Sequence, residues 1–534
     1  MGVLGHGSDS SRYLARILIA LAVAVATVLV PIGGLPQAQA ELTDLPDQTW
    51  GVVDRGRSIT TSTPAEVMAI AQIGNTIYAG GQFRTVVRRR ATDPQYSQPF
   101  LAAFDATTGD WIDWWRPQFN GPIFALEASA DGSRLYVGGE FTEVNGHPGT
   151  AGLVALDPAS GRVDHTFTPY VESAFAADPA IVRTLKESEG WLYFGGNFSH
   201  ATGNDSSTRT RLWKVGRLST TDAAPDATWR PVVKTGSVWG LDHDPVRDRV
   251  YLVGFFETVN NDNPTDKFAV VNDTDGDTIL GLNRFPELTP TQDHHFEVIA
   301  HDDYVWVAGT QHLVHMLNAN DLSINRRWFT GFEPGYHIGG DFQALGIVGD
   351  AIFATCHCWG VLRELPNWVT TLSEADDIQP LTDEVQGIMG FDLATGDYIS
   401  GNWDPDILGQ IGGWAVHGAP DGCLWAGGDF NRRAIGDQWR NGLVRWCDDA
   451  GQGPPAGPPL QEQPSPETNP PTVPGNVSAA DNGDGSATIS WNASTDDTAV
   501  AYYRVYRDGF MVSATKSLSL TDLSPTPGDS YTVR

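Results

Sequence analysis

The sequence predicts an all-β protein: seven copies of one four-stranded antiparallel unit, followed by a smaller, partial β-sandwich. Three observations carry the reading. A pair of apolar strands ending on Gly-Gly recurs seven times, a further strand with an Asp-x-x-Thr/Ser-Gly turn follows most copies, and no stretch of 41–450 keeps a helical period. Units of this kind bury their apolar faces only against one another. Closed radially, they make a seven-bladed β-propeller, which leaves only short sheet edges.

Taken in order, residues 1–40 read as a secretory signal. Arg12 and Arg16 are its basic start, ILIALAVAVATVLV (17–30) its apolar centre, and Ala38 and Ala40 the small residues before cleavage. Fourteen apolar residues are short of the ~20 that a spanning helix needs, so no membrane span is expected after cleavage. The seven copies are VMAIAQIGNTIYAGGQF (67–83), IFALEASADGSRLYVGGEFTEVNG (123–146), IVRTLKESEGWLYFGGNF (181–198), VWGLDHDPVRDRVYLVGFF (238–256), FEVIAHDDYVWVAGTQ (296–311), FQALGIVGDAIFATCHC (342–358) and WAVHGAPDGCLWAGGDF (414–430). Gly81, Gly139, Gly196 and Gly254 stand 58, 57 and 58 residues apart, room for four short strands.

The second recurring piece runs LAAFDATTGDWIDWWRP (101–117), LVALDPASGRVDHTFTP (153–169), FAVVNDTDGDTILGL (268–282), VHMLNANDLSINRRWF (314–329) and IMGFDLATGDYISGNWDP (388–405), with a fainter version at 216–231. In its turn, Asp caps through its side chain and Gly takes the left-handed position. The seventh unit stops at LVRWCDDA (443–450) without an aromatic last strand, whereas Asp47-Gln48-Thr49-Trp50 matches Asp226-Ala227-Thr228-Trp229 of the third unit. The N-terminus is therefore expected to supply the missing strand and remove an open edge. Nine prolines between Ala450 and Pro474 mark a semi-rigid linker, 451–473. Beyond it, 474–534 alternates like sandwich strands.

Two resemblances follow from these residues. Trp491, the Tyr503-Arg504-Val505-Tyr506-Arg507-Asp508-Gly509 stretch and Leu523 to Tyr531 resemble strands B, C and F of a bacterial fibronectin type III domain. The sequence stops where strand F should continue, so this domain is expected to be incomplete and unstable alone. The 41–450 region, with its Tyr-x-Gly-Gly-x-Phe strands, resembles secreted bacterial propellers of delta-60-like, quinoprotein-like repeats. That resemblance implies a fold rather than an activity.

Charge excludes some partners. Lys and Arg number 34 against 65 Asp and Glu, a formal net charge of −31, so nucleic acid and anionic lipid are not expected to bind. Ala103-Phe104-Asp105, Thr108-Gly109 and Trp114 resemble the tryptophan-docking repeat of quinone-dependent dehydrogenases. The tryptophan stands one residue too far on, and the adjacent cysteines and calcium site that accompany the quinone are not found. No cofactor is expected. Asn272 to Asp277 resembles a calcium loop but has Val271 and Leu282 where ligands belong, and it aligns with the ordinary turn Asp105 to Asp110. No metal is expected there either.

Seven of thirteen histidines, His294, His295, His301, His312, His315, His337 and His357, fall in the two most degenerate units. From these the candidate binding cluster is His294, His295, His337, Asp341 and His357, because divergence at structural positions can mark a grafted site. Ordinary packing is the competing reading. No sialidase Asp-box, paired catalytic carboxylates, Gly-x-Ser-x-Gly, His-Glu-x-x-His or phosphate loop is present, and no catalytic residue is assigned. Most of the 18 tryptophans recur at strand ends and read as core. Cys423 opens the last Gly-Gly strand and Cys447 closes the strand after it. Antiparallel neighbours put those ends side by side, so a 423–447 disulfide is expected in an exported protein. Cys356 and Cys358 are left to pair in a strained ring or stay free. The leading function is a secreted binding or adhesion protein for an extracellular carbohydrate or protein ligand. The alternative is a component of a secreted polysaccharide-degrading glycoside hydrolase, since fibronectin modules commonly accompany such enzymes.

Overall fold

The computed structural model describes residues 47–447 and 472–534, except 48, 54–64, 89–92, 175–179, 205–207, 261–264, 266, 280–293, 311, 332–339, 372–373, 376, 383–384, 400–411, 430–432, 435–437, 440, 484–485, 496–499, 501–502, 508–509, 516, 523–524 and 526–527. The expected signal, 1–40, and most of the linker lie outside the described residues. What is described is all-β, in small antiparallel sheets. Among the described residues no helix is long and apolar enough to cross a membrane.

Each copy of the repeat forms an antiparallel sheet in which the first strand is followed by the Gly-Gly strand. The sheets of the fifth and sixth copies are joined into one seven-stranded sheet where Ile324–Gly331 pairs with Ala351–Glu364. The first strands are Glu66–Ile73, Ile123–Ala128, Ile181–Ser188, Ser237–Asp244, His295–His301, Phe342–Val348 and Gly413–Gly418. Each pairs with the Gly-Gly strand or its counterpart, which pairs in turn with a third strand such as Leu101–Asp105 or Leu153–Leu156. A fourth strand is full length in the fifth sheet, Ile324–Gly331. Elsewhere it shrinks to a single bridge, as at Phe104 with Trp111, Leu156 with Val163 and Phe391 with Tyr398. The turn chemistry is as the sequence predicts. Asp105 Oδ1 accepts the backbone N–H groups of Thr107 and Thr108 at 3.0 and 2.8 Å, and Gly109 has φ 71°. Asn272 caps the equivalent turn by accepting from Asp275 N at 2.9 Å, so that segment is a hairpin turn.

The glycine pair has two separate jobs. A Cβ on Gly138 would lie 2.7 Å from Val182 Cγ1 of the next sheet, and one on Gly195 2.6 Å from Val238 Cγ1. A Cβ on the second glycine would strike backbone: Gly139 meets Pro122 O at 2.3 Å and Gly196 meets Ile181 O at 2.0 Å. The first glycine admits the neighbouring sheet; the second admits its own first strand, which is bulged there.

First strands neighbour one another in order, from Glu66–Ile73 to Gly413–Gly418, and Gly413–Gly418 also lies against Glu66–Ile73. The apolar core follows the same order. One cluster joins Tyr78 and Leu101 of the first sheet to Ile123 and Val137 of the second; another joins Cys423, Trp425 and Leu443 of the seventh to Val67, Ile77 and Ala79 of the first. There, a Cβ on Gly427 would lie 2.4 Å from Val67 Cγ1, repeating the Gly138 and Gly195 contacts.

The N-terminal segment runs along the last strand of the seventh sheet. Asp47 bridges Arg445, donating its backbone N–H to Arg445 O at 2.7 Å, and Val52 N donates to Asn441 O at 2.7 Å. Arg445 is 7% exposed. Its Nη2 reaches Asp47 Oδ2 at 2.7 Å while Nη1 donates to Ala106 O and Thr107 O in the turn of the first sheet. Arg217 does the same in the third sheet, pairing with Asp226 at 2.8 Å and donating to Asp273 O of the fourth. The sequence match between Asp47–Trp50 and Asp226–Trp229 thus corresponds to one shared arginine-held position.

Cys423 and Cys447 are disulfide-bonded with Cα atoms 4.4 Å apart, Leu424 pairing with Trp446 beside them. Cys356 and Cys358 are also joined, across His357. In the C-terminal region Gly475–Asp481, Ala487–Asn492 and Ser519–Asp522 form one sheet, and Phe510–Thr515, Tyr503–Arg507 and Tyr531–Val533 another. Ile489, Trp491, Tyr503, Val505 and Val533 pack together.

Candidate functional site

Every first strand carries a register shift at one place, between Val67 and Ala69, Ile123 and Ala125, Val182 and Thr184, Val238 and Gly240, His295 and Glu297, Phe342 and Ala344, and Gly413 and Ala415. A bulge leaves one residue unpaired and re-aims its side chain. The bulged residues are Met68, Phe124, Arg183, Trp239, Phe296, Gln343 and Trp414. First strands are mutual neighbours, and five of these side chains come together.

They form a connected line. The Arg183 guanidinium lies 5.0 Å over Phe124 and 5.2 Å over Trp239. Trp239 packs on Phe296 at 4.8 Å, and Phe296 meets Trp414 edge-on at 6.5 Å. All five are half-buried. Burial lowers the Arg183 pKa, partly offset by Glu140. Polar atoms in this neighbourhood are under-used. Arg183 Nε, Trp239 Nε1, Gln343 Oε1 and His357 Nε2 are buried without a hydrogen-bond partner among the described residues. Each such atom costs free energy unless something satisfies it.

Three residues past the bulge, a polar layer follows. Glu127, Lys186 and Asp242 occupy that position in three consecutive first strands, and Glu297 follows the fifth bulge directly. Lys186 Nζ pairs with Asp242 Oδ1 at 2.9 Å, and Asp242 raises the Lys186 pKa. Burial pushes the Glu127 carboxyl up to about 7 and that of Glu297 to about 8. His417, at the same position of the seventh strand, is pushed down by burial to about 4.

The predicted cluster is placed in pieces. His294 is half-buried and stacks on Phe255 with centroids 4.2 Å apart, 5.9 Å from Trp239. His357 stands edge-on to Trp414 at 4.6 Å, and burial lowers its pKa to about 4. Asp341 O accepts from His357 N at 2.9 Å, and the Asp341 carboxyl lies 3.9 Å from His312 Nε2. Burial raises the Asp341 pKa to about 6. His294 and His357 therefore flank opposite ends of the line through Trp239, Phe296 and Trp414. His295 is buried at the start of its strand, 2% exposed. His337 lies outside the described residues. A grouping with metal-like spacing occurs elsewhere, at Glu189, His243 and Asp273, but there both ring nitrogens of His243 are engaged, by Ser188 Oγ and Asp273 Oδ2.

Reading strand ends as the home of tryptophan missed Trp239 and Trp414. The available signal was the repeat itself. Aligned, the copies begin V-M-A-I, I-F-A-L, V-R-T-L, V-W-G-L, H-F-E-V, F-Q-A-L and G-W-A-V. One variable position, large in every copy, stands between constrained ones.

No protein family profile matches the chain. Short stretches are similar to curated proteins. A chitinase of Paenibacillus xylanexedens is 40% identical over 75 residues, 14% of each chain. A gellan lyase of a Bacillus species is 42% identical over 67 residues, 12% of this chain and 3% of that one. Exoglucanase B of Cellulomonas fimi is 44% identical over 72 residues, 13% of this chain and 7% of that one. The chain thus spans at most about a seventh of these relatives, a module-sized share. Among solved structures, a computationally designed protein, Ika8, is similar at a TM-score of 0.37 and 11% identity, over 75% of this chain and 99% of that one. A likeness that weak carries no argument about the fold.

Proposed function

We propose that this is a secreted carbohydrate-binding protein whose bulge-lined site receives the ligand. On this reading 41–450 is one seven-bladed propeller, 451–473 a spacer, and 474–534 a fibronectin type III segment. The cyclic order of first strands, the apolar cluster joining the seventh sheet to the first, and the Gly427–Val67 contact support closure. Disulfides at 423–447 and 356–358 suit an oxidising compartment.

The observation that carries the binding function is the half-buried line Trp239, Phe296, Trp414, flanked by hydrogen-bonding atoms without partners. Sugars present apolar ring faces and a rim of hydroxyls, and this surface offers both complements. The stretches shared with a chitinase, a gellan lyase and a glucanase favour service beside polysaccharide breakdown over adhesion. The mature protein should sediment with an insoluble polysaccharide or bind its oligomers. Trp239→Ala and Trp414→Ala should each weaken binding at least tenfold, about 1.4 kcal/mol. Wild-type affinity in both variants would refute the site.

A further inference from the structure

Where the third sheet meets the fourth, the chain departs from its own repeat. Six copies carry a turn after the third strand, capped at its first position. The next residue is Ala106, Pro158, Thr220, Ala319 or Leu393 in five of them and a carboxylate, Asp273, in the fourth. The same copy has His243 on its first strand, where the others have Gln72, Ala128, Glu187, Ala300, Ile347 and Gly418. Divergence of this kind, at positions a repeat otherwise fills with packing residues, is expected of a grafted site.

The two departures meet. Asn272 caps the turn, which leaves the Asp273 carboxylate to face His243, with Oδ2 3.2 Å from Nε2. The other ring nitrogen, Nδ1, lies 2.8 Å from Oγ of Ser188, the last residue of the third sheet's first strand. Glu189 follows on the exposed hairpin turn, and one ligand atom each of Glu189, His243 and Asp273 lies within 4.8 Å of the others. The frame is firm. The fully buried imidazole stacks on Tyr193 at 5.0 Å, and Arg217 Nη1 donates to Tyr193 Oη at 3.1 Å and to Asp273 O at 2.7 Å. The charge of Arg217 is matched by Asp226 at 2.8 Å.

Two carboxylates and an imidazole offer two oxygens and one nitrogen. Ligand atoms sharing one tetrahedral zinc stand about 3.4 Å apart, close to the 3.2 Å between His243 Nε2 and Asp273 Oδ2. A rotamer change of the long, exposed Glu189 can close the remaining distance. Engagement of both ring nitrogens does not shut an ion out. A neutral imidazole carries one proton, and placing it on Nδ1, donated to Ser188, leaves Nε2 as the ligand. The ion then replaces the hydrogen bond to Asp273. Calcium and magnesium favour all-oxygen sets, whereas imidazole suits zinc and its transition-metal neighbours.

We propose that Glu189, His243 and Asp273 bind a divalent transition ion of the zinc class, which ties the third sheet's hairpin to the fourth sheet. The site is separate from the carbohydrate site, since His243 stands four residues beyond Trp239 on the same strand.

The test takes the mature full-length protein, untagged and stripped with a chelator, and titrates it with zinc chloride at about pH 7.5, where most imidazoles are neutral. Calorimetry should show one saturable site per chain with a Kd of about 1 μM or below. The thermal midpoint should rise with the logarithm of free zinc. Glu189→Gln alters an exposed side chain and should weaken zinc binding at least about tenfold; Asp273→Asn should do the same. Calcium should not compete. Absence of saturable zinc binding overturns the site. So does an affinity unchanged in both variants, which would place the ion elsewhere, for example at the exposed His147 and His165, whose rings lie 5.1 Å apart. Calcium binding as tightly as zinc overturns the class of ion, and zinc binding without a rise in midpoint overturns the tie between sheets.

Discussion

Glu127 and Glu297 sit with Asp242 around one lysine, Lys186. Burial raises both glutamates, to about 7 and about 8. An unfolded glutamate releases its proton near pH 4.3, so between that value and the folded one the native state holds the extra proton. Their contribution is therefore fully present below about pH 4 and is lost as pH rises towards 7 to 8, with a limiting slope of about 1.4 kcal/mol per pH unit for each group. Denaturant unfolding should show stability falling between about pH 5 and pH 8. A Glu127→Gln, Glu297→Gln double variant should flatten that dependence; an unchanged slope would mean the carboxyls are solvated. Glycine gives a sharper residue-scale test. In Gly139→Ala the new Cβ would lie 2.3 Å from Pro122 O, so the bulged first strand must shift, at a cost of about 2–3 kcal/mol. A lowered melting temperature checks this. The Gly-Gly pairs were visible in the sequence as a repeat, but not why both were needed. The bulge itself was not legible, since Met68, Phe124, Arg183, Trp239, Phe296, Gln343 and Trp414 have no single residue type in common; alignment of the copies marks only a large, variable position. What unites them is a backbone irregularity, which periodicity does not report.

Strands and turns were far more legible, because each signal is local. Asp105 to Gly109 and Asn272 to Gly276 close hairpins through a capping side chain and a left-handed glycine. The N-terminal strand was legible for another reason. Asp47 and Asp226 both answer an arginine, Arg445 or Arg217, at the same place in a sheet. Arg445→Ala removes a mostly buried guanidinium that holds Asp47 and the Ala106–Thr107 turn together. It should cost about 2 kcal/mol, less than a fully buried pair because Asp47 is partly exposed. Denaturant midpoints of the variant and wild type decide it. The Cys423–Cys447 disulfide braces the same sheet across a sequence separation of 24. Replacing both cysteines by serine should cost about 3 kcal/mol on the chain-entropy account. Non-reducing peptide mapping should recover a single 423–447 cross-linked peptide.

At the scale of the whole molecule the question is whether seven sheets behave as a row or as a closed set. In a row, each sheet's stability comes from itself and its neighbours, and the two ends are weakest. Closure gives every sheet two neighbours. On the closed reading proposed above, the N-terminal segment would carry the closure through the Asp47–Arg445 pair, the Val52–Asn441 hydrogen bond and Val52 in the cluster that joins the seventh sheet to the first. A chain in which residues 41–53 are deleted loses all three and strands Arg445 without its carboxylate. Its stability should fall by about 3–5 kcal/mol, and the loss should be local. Amide hydrogen exchange should speed up first in Leu424–Gly428, Leu443–Trp446 and Glu66–Ile73. Trp191–Asn197 and Arg249–Phe255, in the third and fourth sheets, should keep their protection. Faster exchange spread evenly over all seven sheets would mean that they unfold as one body regardless of the clasp. Unchanged exchange near Trp446 would mean that closure does not depend on the N-terminal strand.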